Sequence, residues 1–171
     1  MLHLADLHLG YKPSFLDEHR AAIRQKERDQ LLKNAVNFAL DPAQEIDMVL
    51  IVGDLFETHR PEEKLVRAVL EQLQRLEAAG VYCVTVPGNH DEISYLDSVY
   101  RVKKEKWPGI LVQNPLPALV DHREIKGQII WLYSLAYTGG LTKVDALGSF
   151  PRVPEDGLHI GAFHGTLDWN P

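Results

Sequence analysis

Gly88-Asn89-His90-Asp91 follows closely on the apolar run Val81-Tyr82-Cys83-Val84-Thr85-Val86. It places an amide oxygen, an imidazole and a carboxylate at consecutive positions where a strand should end, and strand ends in α/β sheets are where ligands and catalytic groups collect. The same arrangement recurs elsewhere in the chain. Leu2-His3-Leu4-Ala5 runs into Asp6-Leu7-His8, Met48-Val49-Leu50-Ile51-Val52 into Gly53-Asp54, and Leu158-His159-Ile160-Gly161-Ala162-Phe163 into His164-Gly165. Four apolar runs, each followed by hard oxygen or imidazole donors, describe a metal site assembled along one edge of a sheet.

Between these runs the sequence reads as helix. Asp17 to Leu40 forms one amphipathic stretch, with Ile23, Leu31, Leu32, Ala35, Val36, Phe38 and Ala39 near helical spacing and Arg24, Lys26, Arg28 and Lys33 on other faces. Pro61 to Ala79 is the next, with Leu65, Val66, Val69, Leu70, Leu73 and Leu76 on the apolar side and Gly80 at its stop. Such crossovers are what a parallel sheet needs, and the alternation points to an α/β fold. The thirty-five positions from Asp54 to Asn89, and forty-eight from Asp6 to Asp54, each fit one strand and one crossover. After Trp107-Pro108-Gly109 come shorter runs, Ile110 to Gln113, Ala118 to His122 and Gln128 to Leu135, which predict a second sheet with antiparallel members. Thr138-Gly139-Gly140 and Gly148 to Pro154 read as surface loops.

Length and composition suit one globular domain: 171 residues, 45% hydrophobic and 25% charged. No apolar run has the length of a membrane span or the flanks of a leader. The single cysteine, Cys83, excludes an internal disulfide. A cytoplasmic protein with no membrane partner is therefore the expectation. The net charge of −6 argues mildly against a nucleic-acid binder, but divalent cations held by the clustered donors would offset it where it matters.

Taken singly, each cluster has an ordinary structural explanation. Asp6 and His8 share a face only while the strand stays extended, Asp54 could cap the next turn, and Asn89 is a good turn residue after Gly88. Together they form a donor set of carboxylate, amide and imidazole without thiolate, which suits manganese, iron or zinc in a reactive site. His3 and His159 read as core or sheet-face residues, and His19 and His122 as solvated ones. Lys103-Lys104-Glu105-Lys106, with Trp107, could contact a DNA backbone, although a short charge run more often forms a solvated face. His59 and Arg60, just after the Asp54 strand, are candidate substrate contacts.

At Asp6-Leu7-His8, Gly53-Asp54, Gly88-Asn89-His90-Asp91 and His164-Gly165 the sequence resembles the calcineurin-like metallophosphoesterases, whose signature has these parts in this order. Within that family, Ala5-Asp6-Leu7-His8-Leu9-Gly10 and Gly53-Asp54-Leu55-Phe56, with Arg60-Pro61, resemble the SbcD-type DNA repair nucleases. These are bacterial counterparts of the nuclease subunit of the double-strand-break repair complex. The resemblance implies a four-layer αββα sandwich with two mixed sheets. It also implies two divalent metal ions bridged by Asp54: Asp6 and His8 would hold the first, Asn89 and His164 the second. His90 would steady phosphoryl charge or protonate the leaving oxygen, with Asp91 orienting its ring. Manganese is the expected ion, with iron, zinc or magnesium as alternatives.

The family's later Gly-His-x-His segment does not occur in this sequence, so residues 1–171 are expected to be a nuclease domain lacking that segment and any capping domain. Position 57, where archaeal and eukaryotic relatives carry a histidine, holds Glu57. The implied partners are DNA, an SMC-like ATPase and a second copy of the chain. Two other functions compete with a DNA exo/endonuclease: hydrolysis of a small phosphoester on the same metals, and a non-catalytic scaffold. The retained donors and His90 weigh against the scaffold.

Overall fold

Four strands, β1 (Leu2–Leu4), β2 (Met48–Val52), β3 (Tyr82–Val86) and β4 (Ile110–Leu111), pair in sequence order, every neighbour parallel. Strands β2 and β3 are buried at every position, as their unbroken apolar runs require of strands covered on both faces. The computed structural model describes residues 1–139, 146–151 and 154–165. Residues 140, 152 and 153 of the loops expected from the sequence lie outside these.

Helix α3 (Glu63–Ala78) carries the chain from β2 to β3 and buries Val66, Val69, Leu73 and Leu76. It stops where Gly80 adopts φ 74°. Gly80 N–H bonds to Glu77 O at 2.9 Å and Val81 N–H to Leu76 O at 3.0 Å, the paired bonds of a Schellman ending. The stretch from Asp17 to Leu40 departs from expectation. It divides at Gln30 into α1 (Glu18–Asp29) and α2 (Leu31–Ala39). Only Ala21 of α1 is buried, against Leu32, Val36 and Ala39 of α2, because the apolar stripe belongs to α2 alone. The end of α1 instead holds a loop: Asp29 Oδ1 accepts from Gly10 N–H at 2.7 Å, and Gln25 donates to Gly10 O at 3.2 Å.

Strands β5 (Ala118–Ile125), β6 (Gln128–Ser134) and β7 (Leu158–Ala162) make the second sheet, β5 antiparallel and β7 parallel to β6. Lys126 (φ 48°) and Gly127 (φ 80°) turn the β5–β6 hairpin, the left-handed pair that matches strand twist. Ile130, Leu132 and Ala162 join the core that lies against the first sheet, and Tyr82 O–H donates to Asp121 at 2.8 Å between the sheets. The outcome is an α/β fold of helices and two sheets, consistent with the calcineurin-like sandwich. Of the two sheets, the first is parallel throughout its described strands and only the second is mixed. The run from Ile110, expected in the second sheet, joins the first instead. Trp107 is buried, its indole N–H on Thr85 Oγ1 at 3.1 Å, and this delivers Ile110 beside Val84. Two short helices, α4 (Val99–Lys103) and α5 (Ala146–Ser149), and two 3-10 turns, Pro42–Gln44 and Lys104–Lys106, complete the described elements.

Candidate metal centre

Strands β1, β2 and β3 end on the same edge, and the chain after β1 runs beside the chain after β2. Asp6 N–H bonds to Gly53 O (3.2 Å), His8 N–H to Asp54 O (2.8 Å), Leu9 N–H to Leu55 O (2.9 Å) and Glu57 N–H to Leu9 O (3.0 Å). Leu9, Leu55 and Phe56 are buried beneath them, and apolar side chains of this size contribute about 1.5–3 kcal/mol each when fully buried. The donor loops are thus fastened to the core. Asp6 (φ 53°), His8 (φ 47°) and Asp54 (φ 51°) all adopt the left-handed conformation, which is uncommon outside glycine. Such strain persists where surrounding structure imposes it, and it gathers at functional sites.

Asp6 and His8 therefore do not share a face of an extended strand, as their spacing had predicted, because β1 ends at Leu4. The left-handed turns, held by the 53–55 backbone, aim their side chains.

Asp54 is 3% exposed and lies at the centre. Its Oδ2 faces two imidazoles, His8 Nε2 at 3.7 Å and His164 Nε2 at 3.5 Å, while Oδ1 accepts from His90 N–H at 2.9 Å. Asn89 Oδ1 is 2.9 Å from His164 Nε2. Asp6, Asp54 and His164 offer ligand atoms within 4.8 Å of one another, and so do His8, Glu57 and His90. The five ligands expected from the sequence, Asp6, His8, Asp54, Asn89 and His164, therefore line one open cleft of about 590 Å³. Within it, Asp6 groups with His164 rather than with His8.

Two glycines make this approach possible. A β-carbon at Gly53 would fall 2.0 Å from His164 Nδ1, and one at Gly88 would fall 2.2 Å from Asp54 Oδ1. The donor set also fits divalent cations chemically. Asp6 and Asp54 face the cleft with no lysine or arginine among its described lining, so their charge is left for an ion to balance.

Glu57 enters the site without having been among the expected ligands. Its Oε2 is 2.9 Å from His8 Nδ1 and its Oε1 is 3.6 Å from His90 Nδ1. A carboxylate on the far nitrogen of a ligand histidine fixes the ring and leaves Nε2 for the ion. The sequence signal was its place three residues after Asp54. His3, Tyr137 and Phe163 also line the cleft, and no motif marked them.

Asp91 does not orient the His90 ring. The His90 Nδ1 lies 3.2 Å from Glu57 O. Asp91 is fully buried and accepts from Phe56 N–H (3.0 Å), Gly88 N–H (2.8 Å) and Tyr100 O–H (2.7 Å). Burial raises its pKa, opposed by these three donors, and nearby Asp54 raises it further. The Tyr100 hydroxyl is pushed well up, first by burial and then by Asp91. What Asp91 does instead is tie the loop after β2 to the loop after β3. No sequence pattern pointed to Tyr100, which comes nine residues later.

His59 and Arg60 also stand elsewhere. His59 stacks on Tyr95 with ring centres 4.0 Å apart, and both His59 and Arg60 reach Asp97, at 3.7 and 3.4 Å. Neither lines the cleft, because Val99 N–H bonds to His59 O at 2.8 Å and draws this segment toward the 95–99 loop. Of the residues read as bland, His159 lies on β7 with its Nδ1 2.9 Å from Tyr133 Oη, and His122 stacks on Trp131.

The geometry agrees with what the chain is similar to. Residues 1–169 match the family described as calcineurin-like phosphoesterase. The DNA double-strand break repair protein Mre11 of Methanopyrus kandleri is 30% identical over 93 residues, 53% of this chain and 19% of that protein. The Mre11 of Sulfurisphaera tokodaii is 26% identical over 103 residues, 60% of this chain and 25% of that protein. The uncharacterized metallophosphoesterase YhaO of Bacillus subtilis is 24% identical over 171 residues, 97% of this chain and 40% of that protein. The chain spans less than half the length of each of these relatives. With nearly its whole length matched, and acid, amide and imidazole donors converging on Asp54, the chain belongs to the calcineurin-like phosphoesterase family, hydrolases that act on phosphoester bonds with divalent metal ions.

Proposed function

We propose that the chain is the catalytic domain of a DNA exo/endonuclease of the SbcD type, acting in DNA repair. The observation that carries this reading is the position of Asp54 Oδ2, facing His8 on one side and His164 on the other. A carboxylate oxygen with two imidazoles this near would be shared by two ions. Asp6, His8, Asn89 and His164 would supply the remaining ligands of the two ions, with manganese, the ion the family resemblance implies, as the proposed metal. When bound, a close pair of such ions supplies an activated water and neutralises phosphate charge during in-line displacement.

The chain's own groups supply the rest. His90, beside Asn89 and with its Nδ1–H directed at the Glu57 carbonyl, presents Nε2, which in the imidazolium form would protonate the leaving oxygen or bind a phosphoryl oxygen. Glu57 holds the His8 ring, and Asp91 holds the loops at their spacing. The names of the Mre11 relatives support DNA as substrate. A cytoplasmic setting, a homodimer and an SMC-like ATPase partner belong to the same proposal. Among the described residues no helix is long and apolar enough to cross a membrane.

A second reading, hydrolysis of a small phosphodiester or monoester, keeps the same centre. The match to YhaO, a metallophosphoesterase whose name specifies no substrate, covers 97% of this chain and fits either reading. Calorimetric titration with manganese, followed by assays on labelled linear DNA, a cyclic nucleotide and bis(4-nitrophenyl) phosphate, separates the two. Manganese-dependent DNA cleavage is expected. Rapid turnover of a small ester with DNA left intact would favour the second reading.

A further inference from the structure

A second groove, of about 450 Å³, is lined by Ile93, Leu96, Arg101, Lys104, Gln113 and Pro115. The two hollows draw on neighbouring stretches of the chain. His90 lines the cleft and Ile93 the groove; Tyr137 lines the cleft and its neighbour Thr138 the groove. Their charges are opposite. The cleft presents Asp6 and Asp54 without a lysine or arginine, whereas the groove presents Arg101 and Lys104 without an acid, among the described residues.

Both cations are placed to receive a ligand. Arg101 Nε donates to Ile93 O at 2.7 Å, which fixes the guanidinium on the groove wall and pre-organises a planar fork suited to phosphate. Lys104 pairs with the exposed Glu105 carboxylate at 3.6 Å, an ion pair of a kind that contributes little and is screened by salt. Beside them Leu96 is 86% exposed, an apolar surface that the core does not use.

We propose that this groove carries the nucleic-acid strand flanking the scissile bond, with Arg101 and Lys104 on its phosphates and Leu96 and Pro115 against a base. On a chain of net charge −6, fixed cations outside the metal cleft favour the approach of a polyanion longer than the cleft itself. A small ester would fill the cleft and have no use for the groove. The proposal rests on the nuclease reading and adds the path of the strand.

The test is binding of a fluorescently labelled single-stranded oligonucleotide, followed by anisotropy over a range of salt concentrations, with calcium in place of manganese. Taking one cation away from the phosphates of a single strand lowers the slope of log affinity against log salt by about 0.7. Arg101→Gln and Lys104→Gln should each flatten the slope by about that amount and the double variant by about 1.4, with Arg101→Lys restoring most of it. Lys103→Gln is the control, because Lys103 bonds to Glu63 at 2.9 Å outside the groove; it should keep the wild-type slope. Lys104 is exposed, so its variant reports even if Arg101→Gln disturbs the loop. A wild-type slope in Lys104→Gln and in the double variant would overturn the groove. A wild-type protein that turns over bis(4-nitrophenyl) phosphate but neither binds nor cuts the oligonucleotide would overturn the nuclease reading itself.

Discussion

Strands β1, β2 and β3 deliver Asp6 and His8, Asp54, and Asn89 and His90 to the centre, whereas the mixed sheet sends one described donor, His164, from just beyond β7. The parallel sheet is buried on both faces at β2 and β3, and its loops are bonded backbone to backbone. The mixed sheet leaves much of β5 and β7 exposed, and its donor reaches Asp54 and Asn89 through side-chain contacts. A parallel sheet gathers all its carboxyl ends on one edge, so one architecture sets most of the ligands at once. The mixed sheet contributes through β7, which is parallel to β6 and so adds one more strand end to the cleft. The first region is accordingly the rigid half of the centre, and His164 is the half that a local change can displace.

Asp54 is where both halves meet, and its loss should have the largest effect. Asp54→Asn is expected to bring hydrolysis to background with every ion and to remove the tight manganese sites, while Asp6→Asn retains part of both. Calorimetry and turnover on one preparation would show this, and near-normal manganese activity in Asp54→Asn would remove the shared carboxylate from the scheme. His90 belongs to the rigid half but is assigned to chemistry rather than to metal. His90→Ala should lower turnover by about 10²–10⁴-fold with metal content unchanged by elemental analysis. Metal loss in step with activity would make it a ligand.

Gly53→Ala probes the join between the regions. A methyl there meets the His164 ring, and the φ of 79° adds a backbone cost of about 1 kcal/mol or more. Manganese affinity should weaken by about 10–100-fold, the scale seen when a ligand loses its support. The Asp6 and His8 side should keep its backbone bonds, which amide exchange in residues 6–9 would reveal. The smallest effect is expected at Tyr100→Phe. It removes one donor from buried Asp91 and should cost about 1–3 kcal/mol of stability, read from the urea midpoint, while manganese affinity falls less than in Gly53→Ala.

Much of this centre was legible because donor type and strand order are local properties of a chain. Val81 to Val86 followed by Gly88-Asn89-His90 states both a strand and its cargo. Helix α3 was legible for the same reason, as its apolar stripe and stop glycine lie within one continuous segment. The break at Gln30 was not, since Asp29 is drawn away by the Gly10 backbone, a partner nineteen residues distant. Leu9, Leu55 and Phe56, which carry the resemblance to the SbcD type, are buried under the ligand loops. Their physical role is to fasten those loops.

The sequence by itself determined which side chains could bind a metal, the order in which strands present them, and the glycines that make room. Only the tertiary structure decided where those side chains point. Asp6, His8 and Asp54 leave their strands in left-handed turns held by backbone bonds between segments far apart in the chain. Glu57 became a partner of His8, Asp91 a tie between loops, and His59 and Arg60 residents of another surface. Each of those outcomes depends on a hydrogen bond or ion pair spanning more than thirty residues. Hydrophobic periodicity carries no information at that range, because it records which face of an element is buried and not which distant loop packs against its end.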